Sequence, residues 1–310
     1  MNTRDGPVIV VSVNTAVDRV LLVPELNPGE VHRVREQEEA GGKSINVARS
    51  LVRHGVPVEV LGFAGGATGA FVRQRVREHG IEARWVETQG AARTCDIVVE
   101  TNHPRSTVFN GEGPEVSPAE SEALEAMVLE RLPHCPFLVL TGSLCPGVPD
   151  GLYARWIDAA HAHGVPVAVD AYGPSLRLAA SAGPEIVKVN EEELRETFGD
   201  APPAVASQLL RRGARWVIVT RGGEGAVGFS AEGNWHVPAP EIEVRNATGS
   251  GDAFLGGVVS AWLRGADLRT ALKVATAAGS ASATNLMAAI PPEADLERLA
   301  ERLVPTRLDH

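Results

Sequence analysis

The sequence predicts an α/β fold: a parallel, doubly wound sheet with a small second sheet projecting from it. Three observations carry the prediction. Continuous apolar runs recur along the chain, as strands buried on both faces require. Helical patterns separate those runs, and such alternation implies parallel strands joined by crossover helices. Two stretches, 21–38 and 93–112, break the alternation and read as extended segments of their own, as in Cys95-Asp96-Ile97-Val98-Val99.

The first apolar run covers residues 8–13. A second, 56–63, precedes the turn Ala64-Gly65-Gly66-Ala67-Thr68-Gly69, and a helical pattern follows through Phe71, Val72 and Val76. Further strands are expected at 137–140, 165–169, 185–189 and 216–219, with helices at 118–132, 152–163, 191–198 and 203–212. Ligands of such sheets gather beyond the carboxyl ends of the strands. Polar and small residues follow the strands at those ends: Thr141-Gly142-Ser143, Asp170, Asn190 and Thr220-Arg221-Gly222-Gly223. The extended segments, near 15–40 and 91–113, suit a flap over a site at those strand ends, or an edge hairpin without a task. The tail, 291–310, reads as a charged closing helix with a frayed end.

Size and composition narrow the class. The 310 residues suit one large α/β domain with an accessory element. With 44% apolar and 22% charged residues a sizeable core is expected. The net charge of -10 and the lack of a long basic run argue against nucleic acid. No run of about 18 apolar residues and no signal-peptide layout is present, so no membrane partner is expected. Cys95, Cys135 and Cys145 lack metal-ligand spacing, which fits a reduced, cytoplasmic enzyme.

The most informative stretch is Asn246-Ala247-Thr248-Gly249-Ser250-Gly251-Asp252, followed at once by the apolar helical pattern Ala253-Phe254-Leu255. Small residues let backbone N–H groups converge, and a helix N-terminus adds partial positive charge there. A carboxylate beside such an anion hole can accept a proton while the hole stabilises a transferring phosphoryl group. A plain helix start capped by Ser250 or Asp252 is the competing reading.

Gly41-Gly42-Lys43-Ser44-Ile45-Asn46-Val47-Ala48-Arg49 is a second constellation. Asn46 can bond sugar hydroxyls and Lys43 can meet a phosphate, or the stretch is a structural turn into a helix. A Walker loop is excluded, because Gln37 stands where its first glycine belongs. In Lys188-Val189-Asn190-Glu191-Glu192-Glu193, Asn190 and Glu193 are either a capping box or ligands of a hydrated Mg²⁺. Thr220-Arg221-Gly222-Gly223-Glu224-Gly225-Ala226 reads as a hairpin turn or as a nucleotide's phosphate loop. Arg93 and Arg105 flank the flap and, with Lys43, form a candidate clamp for a second phosphate. Asp18 is an acceptor-holding carboxylate or an ordinary turn aspartate.

Taken in order, these motifs and Asn14-Thr15-Ala16-Val17-Asp18 closely resemble the ribokinase-like carbohydrate kinases named after the minor phosphofructokinase. Within them, the 1-phosphofructokinase and tagatose-6-phosphate kinase branch is the nearest in pattern. Thr141-Gly142-Ser143-Leu144-Cys145-Pro146-Gly147-Val148-Pro149 carries the likeness too, which runs from about residue 8 to 291. The resemblance implies a three-layer α/β/α doubly wound, mostly parallel sheet with a small β-sheet lid. It implies γ-phosphoryl transfer from ATP, with Mg²⁺, to a sugar hydroxyl, and lids that often pair in homodimers. By the same resemblance Asp252 is the base, and Gly249, Ser250 and Gly251 form the anion hole. Asn190 and Glu193 serve Mg²⁺, and Thr220, Gly222 and Gly225 the nucleotide, with Lys188 and Asn246 on the same side. Asp18, Gly42, Asn46 and Ser143 meet the acceptor, whose phosphate falls to Lys43 and Arg93; Gly41 and the flanking Arg105 are further candidates on the acceptor side.

Three positions depart from the branch. It usually has Gly at Ser44, an acidic lid residue at Val108 and a small hydroxyl residue near Tyr172. The expected acceptor is a phosphorylated ketohexose: fructose 1-phosphate, tagatose 6-phosphate or fructose 6-phosphate. Rival readings are a kinase of a plain sugar or nucleoside and a non-catalytic phosphosugar sensor. A dinucleotide-dependent oxidoreductase is disfavoured, since no G-x-G-x-x-G turn follows the first strand.

Overall fold

The computed structural model describes residues 6–103, 105–288 and 293–308. The first five residues and both ends of the expected tail, 291–292 and 309–310, lie outside them. The chain opens on β1 (Val8–Ser12), fully buried as its unbroken apolar run requires. It then leaves the main sheet for β2 (Ala16–Val23) and β3 (Arg35–Gly41), and returns through α1 (Lys43–Arg53), β4 (Val58–Phe63), α2 (Gly66–Glu78) and β5 (Glu82–Val86). A second excursion forms β6 (Arg93–Glu100) and β7 (Ser106–Asn110).

Regular alternation follows: α3 (Pro118–Arg131), β8 (Leu138–Thr141), α4 (Leu152–Ala162), β9 (Val167–Asp170), α5 (Gly173–Ser181), β10 (Ile186–Asn190), α6 (Glu191–Phe198), α7 (Pro202–Arg211) and β11 (Trp216–Thr220). An antiparallel pair, β12 (Ala226–Phe229) and β13 (Asn234–Val237), precedes α8 (Ser250–Leu263), α9 (Leu268–Ala283), α10 (Glu293–Arg302) and β14 (Thr306–Leu308).

The main sheet runs β14-β13-β12-β11-β10-β9-β8-β1-β4-β5. It is parallel from β11 to β5 and antiparallel at the other edge. Alternate strand residues face opposite cores. Ile9 and Val11 join α3 to α7 on one side, while Val8 and Val10 join α1, α2, α8 and α9 on the other. These are the three layers that the resemblance implies. The chain goes one way from β1 to β4 and the other way to β8, so the strand order reverses beside β1, where an open sheet leaves a crevice.

The excursions pair as a four-stranded sheet, β3-β2-β6-β7. Its residues Val20, Ile97 and Val99 form a small core of their own. Two expectations are corrected here. Asp18 is not a turn residue: it lies inside β2, opposite Glu39 and Cys95. The tail does not fray after its helix, because β14 adds to the main sheet through Asn234↔Leu308 and His236↔Thr306.

Candidate active site

The crevice above the strand ends holds a cleft of about 1290 Å³, walled on one side by the small sheet. That exceeds the usual size of a pocket for one small ligand, so two substrates fit together. The strands deliver Thr141, Asp170, Asn190 and Thr220 in register at their carboxyl ends. Cleft lining includes Asp18, Gly42, Lys43, Asn46, Arg93 and Ser143, as well as Lys188, Asn190, Glu193, Thr220, Gly222 and Gly225, and the run from Gly249 to Asp252.

The N-cap of α8 is Gly249, whose φ of 78° is a left-handed conformation open to glycine. No side chain caps the helix, so neither Ser250 nor Asp252 is the N-cap. The N–H of Ser250 is taken by the Ala247 carbonyl. Among the described residues the N–H groups of Gly249 and Gly251 have no acceptor, and the Ser250 hydroxyl is buried without a partner. These groups form a small donor nest for an anion. Asn246 stands behind it and does not line the cleft: its side chain accepts from Thr248 N–H and donates to the Leu286 carbonyl. It shapes the loop, which corrects its expected place against the nucleotide.

Asp252 is 5% exposed at the cleft floor. Burial raises its carboxyl to about 7; Lys43 and the Asn46 amide oppose the rise and Asp170 adds to it. Asn46 Nδ2 donates to Asp252 Oδ2 at 2.9 Å. Asp18 is raised as well, chiefly by burial, and Gly41 lets its carboxylate fit, since a Cβ there would fall 2.0 Å from the carboxyl carbon. The Ser143 hydroxyl accepts from Asn14 Nδ2 at 3.0 Å.

Lys43 is not a free ammonium. It donates to Asp170 Oδ1 and Glu193 Oε1, each at 3.0 Å. Burial alone would lower its pKa, but Asp170, Glu193 and Asp252 together raise it. Asp170 also binds Lys188 at 2.6 Å, and the two lysines hold its carboxyl low in spite of complete burial. No sequence motif assigns Asp170 a role. Its signal was a carboxylate directly after an apolar strand. Arg93 donates to the Gly111 carbonyl at 2.9 Å and keeps a buried Nε without a partner. Arg105 lies apart: it forms a two-pronged pair with Glu100 and does not line the cleft, so the expected third clamp residue is absent there.

Asn190 and Glu193 form the capping box of α6, each side chain meeting the other's N–H. No cluster of three His, Cys, Asp or Glu suited to a metal is found among the described residues. Asn190 and Glu193 both line the cleft. Such hard, sparse donors fit Mg²⁺ held mainly by water and phosphate. The stretch after Thr220 is both a hairpin and part of the cleft: a short 3₁₀ turn, Gly222–Glu224, joins antiparallel β11 and β12. Pro240, Ile242, Val244 and Phe254 add apolar lining to the cleft that no short motif signals.

A switch-point crevice with a donor nest, a buried carboxylate and lysines beside it defines an enzyme of phosphoryl transfer. The chain belongs to the pfkB family of carbohydrate kinases, whose pattern matches residues 8–295. It is 30% identical to the 1-phosphofructokinase of Bacillus subtilis, over 96% of this chain and 97% of that one. It is 31% identical to the D-tagatose-1-phosphate kinase of Bacillus licheniformis, over 88% and 91%. The phosphofructokinase-2 of Escherichia coli, solved in complex with potassium, superposes with a TM-score of 0.85 at 26% identity, over 95% and 98%. The family reading makes ATP the phosphoryl donor. No helix among the described residues is long and apolar enough to cross a membrane, and the three buried cysteines form no disulfide there.

Proposed function

We propose that this kinase transfers the γ-phosphoryl group of ATP, with Mg²⁺, to a hydroxyl of a phosphorylated ketohexose and yields a bisphosphate. The observation that carries the reading is Asp252, buried in the cleft within one helical turn of the Gly249 and Gly251 N–H groups. Asp252 takes the acceptor's hydroxyl proton as that oxygen bonds to the γ-phosphorus. The bond from phosphorus to the bridging oxygen breaks, and ADP leaves with the electron pair. The N–H nest and Lys188 meet the charge on the passing phosphoryl group. Asn190 and Glu193 would hold Mg²⁺ through its waters, and the ion would supply neutralising charge to the phosphates.

Lys43 faces Asp170, Glu193 and Asp252, which is the transferring end. Arg93, with an N–H to spare, therefore carries the acceptor's own phosphate. Asp18, Asn46 and Ser143 hold the sugar. Both relatives' names put a phosphate at position 1 of a ketohexose, so ketohexose 1-phosphates head the expected acceptors, before the 6-phosphates. We include a cytoplasmic setting and a homodimer through the lids, where Val31 and Phe109 are exposed.

The test is a coupled ADP assay with fructose 1-phosphate, tagatose 1-phosphate, fructose 6-phosphate, tagatose 6-phosphate and fructose. One ADP per phosphoketose consumed is expected. Preference for fructose would return the plain-sugar kinase, and silence across the panel would return the sensor.

A further inference from the structure

Helix α1 carries, one turn past Asn46, an arginine that the reaction above leaves without a task. Arg49 is 4% exposed. Its Nη2 donates to Asn46 Oδ1 at 2.9 Å and also to the Ala288 carbonyl. Its Nη1 faces Glu39 Oε2 at 4.0 Å. Glu39 is itself buried, and Arg75 and His79 hold it from the other side. A buried guanidinium is costly to desolvate, and an aliphatic side chain would pack there at less cost.

The amide between Arg49 and the reacting end explains the charge. Asn46 Nδ2 donates to Asp252 Oδ2, and the same amide lies near enough to Asp18 to favour its ionised form. A carboxamide is nearly symmetric in shape but not in polarity, with two donors on one side and an acceptor on the other. Turned over, it would set its oxygen against two carboxylates and its NH₂ against a guanidinium. By claiming Oδ1, Arg49 leaves only the orientation that serves both carboxylates.

We propose that Arg49 is a positioning residue for phosphoryl transfer: it locks the Asn46 amide, and through it the Asp252 carboxylate, with Glu39 as its anchor. The inference rests on the kinase reading above. Its test is a double-mutant cycle on the full chain, with a phosphoketose that the parent accepts. Arg49→Leu lowers kcat about tenfold or more while KM for ATP stays within about twofold. Arg49→Lys, which keeps a donor for Asn46 Oδ1, recovers most of the loss. In an Asn46→Ala background the route is already cut, so adding Arg49→Leu changes kcat by less than about twofold.

Additive losses in the double variant, or parental kcat in Arg49→Leu, overturn the proposal. If the leucine variant does not fold, Arg49→Gln carries the same cycle with the same criterion. A parent that releases no ADP with any phosphoketose overturns the kinase reading instead, so the two failures are told apart.

Discussion

Asp252 is placed to be a base, and its surroundings set the pH at which it can act. Burial is the dominant influence and brings its carboxyl to about 7. A base must be ionised to take a proton, so kcat/KM should fall as pH drops below about 7, approaching tenfold per unit. A profile flat down to pH 5 would remove the residue from proton transfer. Asp252→Asn should leave ATP binding nearly intact and lower kcat by roughly 10² or more, the usual weight of a positioned base. The same shift has a consequence for stability. The unfolded chain releases this proton near the ordinary 3.8, the folded one near 7. Stability therefore falls as pH rises between those values, and the full penalty is present at pH 8. Thermal melting of Asp252→Asn should lie above the parent at pH 8, and the gap should close towards pH 4. Arg93 is argued at the same scale. It is the lid cation with an unpartnered buried N–H, and a hydrogen bond to a charged group is worth about 1.5–3 kcal/mol. Arg93→Ala should raise KM for the phosphoketose at least about tenfold and leave KM for ATP unchanged; equal rises in both would relocate it.

At the scale of elements, α8 is the piece that carries Asp252 and the donor nest, and its fit is tight. A Cβ on Gly256 would fall 2.4 Å from Ser50 Oγ of α1, and one on Gly257 only 2.8 Å from Ala275 Cα of α9. The second obstacle is backbone, which cannot swing aside. Gly257→Ala should cost about 1–3 kcal/mol in urea unfolding and lower kcat as α8 tilts; parental stability would mean that α9 yields. Apolar runs and strand-end residues made most of this architecture legible. Residues 8–13 became β1 within one residue, and Asp170, Asn190 and Thr220 stood at strand ends as read. What escaped was decided by partners far away in the chain. Lys43 looks like a free phosphate ligand until Glu193 closes on it, 150 residues on. Asn46 and Asp252 are 206 apart, and nothing local in either motif points to the other. Arg105 read as a clamp because a carboxylate five residues away is invisible in an extended segment until its side is known. The tail read as frayed because β14 is three residues long and is ordered by pairing with β13.

The whole molecule is two sheets facing one cleft, and a short segment after α9 ties them together. Leu286 and Met287 pack against the lid core of Val20, Ile97 and Val99. The Leu286 carbonyl receives Asn246 from the donor-nest loop, and the Ala288 carbonyl receives Arg49 from α1. The small sheet, the nest loop and α1 are thus referenced to one stretch of backbone. A lid held in this way matters because a γ-phosphoryl group open to solvent can be lost to water. Ile97 is 1% exposed, yet it also lines the cleft. Truncating a buried isoleucine costs about 2–5 kcal/mol, and here the loss falls mainly on the small lid core and not on the main sheet. Ile97→Ala should therefore leave the melting of the main body nearly in place but loosen the cover. With phosphoketose present, ADP formed per bisphosphate should rise above one, and ADP release without acceptor should rise too. If the ratio stays at one while KM for the phosphoketose climbs, the lid holds the sugar and something else keeps water away.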